Sequence, residues 1–147
     1  MTTKLELLER TLEQGFPIDE DIPSALSSDE RLGRLRRAIE TVAGDDLVVE
    51  MVGNEGFRAE RRGADGFVEA WRDWVSPFKT FRVAIDDVID SGNHLVVLVS
   101  QRGKAHDSDV ELASDAAAVW TFDGDRLRRV GFYLDRDEAK RAAGVPG

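Results

Sequence analysis

The 147-residue chain contains no cysteine, which excludes disulfide bonds, thiolate metal sites and cysteine nucleophiles. It has no apolar run near the roughly 18 residues that a membrane span needs. Its N-terminus opens on a polar, helix-like segment and does not resemble a secretory signal. Basic residues number 20 against 29 acidic ones, which argues against nucleic acid or an anionic membrane as the main partner. We therefore predict a cytosolic protein.

The residues that are present are typical of one ordinary folded domain. Hydrophobic residues make up 41% of the chain and charged residues 33%, a balance found in neither disordered nor fibrous proteins. At this length a domain buries roughly two thirds of the surface that its unfolded chain exposes. No internal repeat or interdomain linker divides the sequence, so residues 1–147 are predicted to form a single domain.

Apolar residues at helical spacing predict three helices in the first half of the chain and a short one near its end. The predicted segments are residues 3–14, Ser27 to Gly44, Asp65 to Pro77, and a short helix after Asp135. In the second of these, Ser27 and Glu30 form a capping box in which each side chain satisfies the backbone N–H of the other residue.

Strand-forming runs fill the rest of the chain. The predicted strands are residues 47–52, 57–62, 81–89, 94–102, 110–122 and 126–134. The turns Ser91-Gly92-Asn93 and Asp123-Gly124-Asp125 are hairpin connections, and hairpins join antiparallel neighbours. Helices first and strands afterwards is an α+β pattern, in which the helices pack on one face of a curved sheet.

Four short motifs follow one another from the third helix onward: G-x-x-G-F-x-x-x-W, then F-R-V with D-x-G-N after it, then V-W-T-F-D-G-D, and finally Y-L-D-R-x-E-A. With this order, residues 47–144 resemble the SnoaL-like branch of the NTF2-like superfamily. The helical N-terminal part, residues 1–46, matches less well. The resemblance implies a cone in which helices pack on a strongly curved, mixed but mainly antiparallel sheet around an apolar pocket. The superfamily includes polyketide cyclases, ketosteroid isomerases, limonene epoxide hydrolases and binding modules, and the fold does not select among them.

Two positions bear on catalysis. The resemblance implies that Ala118 and Phe132 stand where ketosteroid isomerases and epoxide hydrolases, respectively, carry a catalytic acid. Strand alternation puts Val130 on the face of Phe132, and Trp120 on the face of Ala118. Both faces are apolar, so we do not expect either known chemistry.

An aromatic stripe and two polar side chains complete the predicted pocket. Phe67, Trp71 and Trp74 recur on one side of the third helix, where they either pack in the core or line a cavity. Gln101 and Asp115 lie within strands and are candidate polar anchors for a ligand.

Glu50 is the remaining carboxylate candidate for catalysis. The resemblance implies a position near that of the isomerase general base. The alternative is an ordinary solvent-facing acid on a half-exposed strand. His106, Asp107 and Ser108 are consecutive residues and cannot converge as a catalytic triad. We predict no metal and no cofactor.

Three functions remain open. The first is binding of a small apolar molecule without efficient chemistry. The second is an isomerase, cyclase or hydratase in which Glu50 transfers a proton and Gln101 or Asp115 polarises the substrate. The third is an interaction module whose cavity is filled by its own side chains.

A homodimer through the sheet is also expected. The runs Leu95–Val99 and Ala116–Val119 are apolar on both faces and need cover on both. The predicted helices cover one face, so a second copy of the chain is the simplest cover for the other.

Overall fold

Helices and strands follow each other in the order that the apolar pattern predicts, apart from a short helix at Ile22–Leu26 that it does not predict. The computed structural model of the protein describes residues 3–53 and 58–146. The helices are α1 (Lys4–Gln14), α2 (Ile22–Leu26), α3 (Asp29–Val42), α4 (Gly63–Val75) and α5 (Arg136–Ala142). The strands are β1 (Ala43–Val52), β2 (Arg58–Arg62), β3 (Phe78–Ser91), β4 (His94–Ala105), β5 (Leu112–Asp123) and β6 (Arg126–Tyr133). Position 57 of the predicted second strand lies outside the described residues.

The cap of α3 differs from the prediction. The N-cap is Ser28, whose hydroxyl accepts the backbone N–H of Arg31 at 3.3 Å. Ser27 instead ends α2, and its hydroxyl donates to the carbonyl of Ser24 at 2.7 Å. The predicted capping box at Ser27 is therefore wrong, because the chain forms a separate short helix just before α3.

Two other helix ends are also displaced, and one is as predicted. Helix α3 ends before Gly44, which lies in β1. Helix α4 begins at Gly63, two residues before the predicted start at Asp65. Asp135 caps α5 as predicted, since its side chain accepts backbone N–H groups of the first turn.

Six strands form one mixed sheet in the order β2-β1-β6-β5-β4-β3. Strands β1 and β6 pair in parallel, and the other neighbours are antiparallel. Both predicted hairpins are confirmed, and Gly92 and Gly124 supply the positive φ angles of 60° and 62° that tight turns favour. At the register shifts the extra residues lie in β3, opposite β4, and in β6, opposite β5, and such bulge-like irregularities bend a strand. This α+β, cone-like architecture confirms the predicted fold class.

The inner face of the sheet carries the larger core. Side chains of α1, α3 and α4 pack there against alternate residues of the strands, among them Val49, Val97 and Trp120. Leu35, Ile39 and the other apolar residues that predicted α3 face this core. The inner face is thus covered by α1, α3 and α4.

The outer face carries a second, smaller core beneath α5. Val96, Leu98 and Val119 are only 0%, 8% and 5% exposed in the single chain, and they pack with Ala139 and Ala143 of the C-terminal segment. The apolar pattern of these strands predicts that a second chain covers them. This expectation about their cover is wrong, because α5 already covers them.

Within the described residues, no helix combines the length and the apolar character that crossing a bilayer requires. The cytosolic location stays a prediction.

Candidate functional site

A cavity lies on the inner face, between α1 and α4 on one side and strands β3 to β6 on the other. Its volume is about 60 Å³, whereas one water molecule needs about 10–15 Å³ on the same measure. Aliphatic and aromatic side chains form most of its wall. Among the described residues that line it, none carries a charged side chain. The described wall therefore offers apolar contacts and no charged group.

The aromatic wall comes from α4 and its neighbours. Phe67, Trp71 and Trp74 share one face of α4 because they are spaced by four and three residues. The ring of Trp71 meets Phe16 and Phe132 edge to face, with ring centroids 5.1 Å apart in each pair. These contacts hold the indole of Trp71 in the cavity wall.

Gln101 is a polar side chain built into this wall. It is 5% exposed, and its Oε1 accepts the indole N–H of Trp74 at 2.9 Å. Its Nε2 donates to the hydroxyl of Ser114 at 3.3 Å. These two bonds fix the orientation of the amide, so Gln101 lies in the wall as a satisfied group.

The indole nitrogen of Trp71 is different. Trp71 is 7% exposed, and its Nε1 is the only buried side-chain nitrogen or oxygen without a hydrogen-bond partner in the part of the chain that the structure describes. Its aromatic neighbours offer no lone-pair acceptor. A buried donor in this state is unusual in a folded protein.

Most of the predicted pocket residues lie together. Those that line the cavity are Phe67, Trp71, Trp74, Gln101, Ala118, Trp120 and Phe132. Val130 faces the same core but is fully buried and is not part of the cavity wall.

Asp115 is not in the cavity. Strand alternation directs Ala116 and Ala118 inward, so Asp115 points to the outer side of β5. Its side chain is 69% exposed and lies 3.8 Å from the guanidinium of Arg136. The prediction of Asp115 as a pocket residue is corrected accordingly.

The sequence does not identify the cavity residues that lie before residue 20 or on β3. Those that line the wall are Leu8, Leu12, Phe16, Ile18, Val83 and Ile85. The helical spacing of Leu8 and Leu12 was a usable signal, because an apolar stripe on α1 needs a partner surface. Phe16 and Ile18 follow α1 in a connection without any period, and no local pattern identifies them.

Glu50 lies on the outer face, not in the cavity. Its neighbours Val49 and Met51 point into the inner core, so alternation turns Glu50 outward. The carboxylate contacts Arg58 Nη1 at 2.8 Å and Arg129 Nη2 at 2.5 Å, and the side chain is 12% exposed. Glu50 is therefore neither a solvent-facing acid nor a group positioned to act on a molecule in the apolar cavity.

This ion-paired cluster lines a groove beside α5. Tyr133 also lies there, and its ring occupies space that a side chain at position 131 would need, so Gly131 permits the approach. Burial raises the pKa of Tyr133 above its ordinary value, and the nearby Glu50 carboxylate raises it further. The groove is polar and charged where the inner cavity is apolar.

The two histidines serve local contacts. His94 Nδ1 lies 2.8 Å from the hydroxyl of Thr121, and His106 Nε2 lies 2.8 Å from the carbonyl of Ser76. Over residues 3–53 and 58–146 no group of three His, Asp or Glu side chains could hold a metal ion.

Comparison with solved structures gives the same fold at low identity. An NTF2-like protein from Burkholderia thailandensis matches with a TM-score of 0.64 and 16% identity, covering 99% of this chain and 100% of that one. A putative SnoaL-like polyketide cyclase from Jannaschia sp. matches with a TM-score of 0.62 and 12% identity, covering 97% of this chain and 92% of that one. A Catenulispora acidiphila protein of ketosteroid isomerase-like fold was solved with trimethylamine. It matches with a TM-score of 0.57 and 15% identity, covering 99% of this chain and 96% of that one.

These likenesses show the fold alone, and no curated protein gives a significant match. The sequence profile of the SnoaL-like domain matches residues 33–130, about two thirds of the chain. This match begins inside α3, earlier than the resemblance at residues 47–144 indicated. The chain therefore belongs to the SnoaL-like domain family, and its fold is that of the NTF2-like protein.

Proposed function

We propose that the protein binds a small, largely apolar molecule in the inner-face cavity. The observation that carries this proposal is the uncharged, mostly aliphatic and aromatic lining of the described cavity wall. A charged ligand would lose its hydration there without gaining a counter-charge. An apolar molecule gains free energy from the contact area alone, at roughly 25 cal/mol per Å² removed from water.

The cavity volume sets the size of the bound group. About 60 Å³ corresponds to roughly four to six water-sized spaces. It admits a molecule, or part of one, with about as many non-hydrogen atoms. Small ligands gain at most about 1.5 kcal/mol per non-hydrogen atom, so for five atoms Kd is no lower than about 3 μM. We expect a Kd between this limit and the millimolar range.

Cyclopentane is a suitable probe for the first test. Bound against the tryptophans of the wall, it should change their fluorescence. It should also raise the melting temperature, because it binds the folded chain. At ten times Kd the stabilisation is about 1.4 kcal/mol. With an unfolding entropy of about 2.1 cal/mol/K per residue, the expected shift is about 4–5 °C.

A substitution that fills the cavity gives a second test, with a matched control on the same strand. Ala118→Leu adds three carbon atoms inside the cavity and should weaken cyclopentane binding at least tenfold. Ala113→Leu adds the same atoms to the same strand at an exposed position and should leave binding unchanged. No binding to the wild type, or equal binding to both variants, would contradict the proposal.

The two other predicted functions have less support. An isomerase, cyclase or hydratase using Glu50 would need that carboxylate at the substrate, and the carboxylate lies on the opposite face between two arginines. An interaction module with a filled cavity would leave no space on the inner face, where the wall encloses about 60 Å³.

The homodimer stays a prediction, but the surface expected to form its interface changes. Since α5 covers the apolar strands, a second copy would contact the part of the outer face that α5 leaves half-exposed. This part includes Val48, Thr121 and Arg129. The supporting argument is then closed twofold pairing, the commonest oligomer, and no longer an uncovered apolar sheet.

A further inference from the structure

The inner-face cavity is followed, along the same face of the sheet, by a groove that is open to solvent. Alternate residues of β4 lie on this face, in the order Val97, Val99, Gln101 and Gly103. The two valines line the cavity, and Gly103 lines the groove. Gln101 lines both, so the cavity and the groove meet at this residue.

The groove offers apolar surface beyond the cavity. Its volume is about 390 Å³, and its larger apolar side chains are Phe78, Phe81, Leu112 and Leu134. Leu112 is 60% exposed, an unusual state for a large apolar side chain within a strand. None of the described residues that line the groove is charged. A hydrocarbon chain that left the cavity in this direction would therefore find apolar contacts.

Two side chains join α4 to the sheet at the point where the cavity and the groove meet. Trp74 Nε1 donates to Gln101 Oε1 at 2.9 Å, and Gln101 Nε2 donates to the hydroxyl of Ser114 at 3.3 Å. Trp74, like Gln101, lines both spaces. This Trp74–Gln101 bridge is thus a wall of the cavity on one side and a wall of the groove on the other.

A hydrocarbon chain could pass this point only by separating the two side chains. It would then break the hydrogen bond between Trp74 and Gln101 without replacing either partner, since hydrocarbon neither donates nor accepts. Gln101 is 5% exposed, so little water reaches its amide in compensation. A buried polar group that loses its partner destabilises the complex.

We propose that Trp74 and Gln101 limit the length of the molecule that the protein binds. The cavity takes a compact apolar molecule, such as a small ring or a branched hydrocarbon. The bridge keeps a linear chain from extending along the sheet into the groove. This inference rests on the proposed function and specifies its ligand class.

1-Octanol is a suitable linear probe beside the compact cyclopentane. Its eight carbons exceed the roughly five non-hydrogen atoms that the cavity admits, and its hydroxyl favours water. The chain can therefore bind well only if it runs from the cavity through the groove. Trp74→Ala removes one half of the bridge and Gln101→Ala removes the other, so a failure of either variant to fold leaves a second test.

The expected result is a gain of octanol binding when the bridge is removed. About three methylene groups should then lie in the groove, and each should strengthen binding about two- to fourfold. Calorimetric titration should give a Kd for 1-octanol about 10- to 60-fold lower in either variant than in the wild type. From 1-pentanol to 1-octanol, the wild type should show no systematic gain per methylene.

A second substitution shows whether the chain occupies the groove. In the Trp74→Ala background, Leu112→Ser should remove most of the gain in octanol binding, because Leu112 lines the groove. Val110→Ser is the matched control, since Val110 is 67% exposed and is not among the described groove residues. It should leave the gain unchanged. The methyl NMR signals of Leu112 should respond to 1-octanol in Trp74→Ala and not in the wild type.

The results that would overturn the inference are distinguishable from a failure of the proposed function. If cyclopentane binds the wild type but 1-octanol binds it as tightly as the variants, the bridge does not limit length, and the proposed function stands. The same conclusion follows if Leu112→Ser and Val110→Ser have equal effects. If cyclopentane does not bind the wild type, the proposed function fails and the inference fails with it.

Discussion

Glu50→Gln tests whether this carboxylate holds the outer face together. In the folded chain the carboxylate lies between Arg58 and Arg129 and is 12% exposed. The glutamine keeps the shape of the side chain but removes its charge. The two guanidinium groups are then left close together without the anion between them, so the substitution should destabilise the fold.

The exposure of the partners sets the magnitude. Breaking a fully buried ion pair costs about 3–5 kcal/mol, and an exposed pair contributes about 0–1 kcal/mol. The arginine side chains are 55% and 42% exposed, and Arg58 keeps a second partner in Glu138 at 3.3 Å. We therefore expect a loss of about 1–2 kcal/mol, or roughly 3–6 °C in melting temperature for a chain of this length.

Glu60→Gln is the matched control, measured by urea denaturation alongside Glu50→Gln. Glu60 lies directly opposite Glu50 in the register of β1 and β2, but it is 51% exposed and pairs with the 66%-exposed Arg62. The Glu60→Gln substitution should lower the free energy of unfolding by less than about 0.5 kcal/mol. Equal losses in the two variants would refute the reasoning, and so would a loss of cyclopentane binding in a folded Glu50→Gln protein.

Three further outcomes are expected. Tyr133 is the only tyrosine, and its pKa is raised above 10.0, so absorbance at 295 nm should titrate at higher pH in the folded than in the urea-unfolded chain. The neutral Tyr133 therefore contributes to the free energy of unfolding fully below pH 10, and this contribution should be lost as the pH rises through the folded-state pKa. Equal titration midpoints in the folded and the unfolded chain would contradict this. Ser28→Ala should cost about 1 kcal/mol in urea denaturation and Ser27→Ala clearly less, whereas the reverse order would restore the predicted cap. Light scattering at micromolar concentration should report a molar mass of about twice 16.3 kDa. A mass of one chain would contradict the predicted homodimer.

Element order could be predicted from the sequence because its signals are local. Helical spacing, hairpin glycines and the acidic cap at Asp135 act within a few residues, and each stands in the structure where it was expected. The cap of α3 failed for a local reason too. Ser27 and Ser28 are adjacent, and the choice between them depends on α2, which has only one short turn of apolar residues.

The site was only partly predictable, because the sequence pattern does not say which face of a strand becomes the inside. Alternation separates Glu50 from Val49 and Met51, and Asp115 from Ala116. The packing of α4 and α1 then decides which set faces the cavity. Trp71 was predictable as a wall residue, but its unpaired N–H emerges only from the surroundings that the fold supplies.

The cover of the outer face was beyond local reasoning for a similar reason. Helix α5 is short, and its own pattern shows an apolar side but not the surface to which it docks. In the fold, Ala139 and Ala143 lie on Val96 and Val119, which are far away in sequence. Non-local contacts of this kind explain why apolar strands suggested a second chain where the same chain suffices.

The most direct measurement of the central claim is a crystal structure of the protein soaked with cyclopentane. We predict electron density for the ring in the inner-face cavity, against Phe132 and Ala118. A cavity closed by its own side chains, with no probe density at a saturating concentration, would contradict the account.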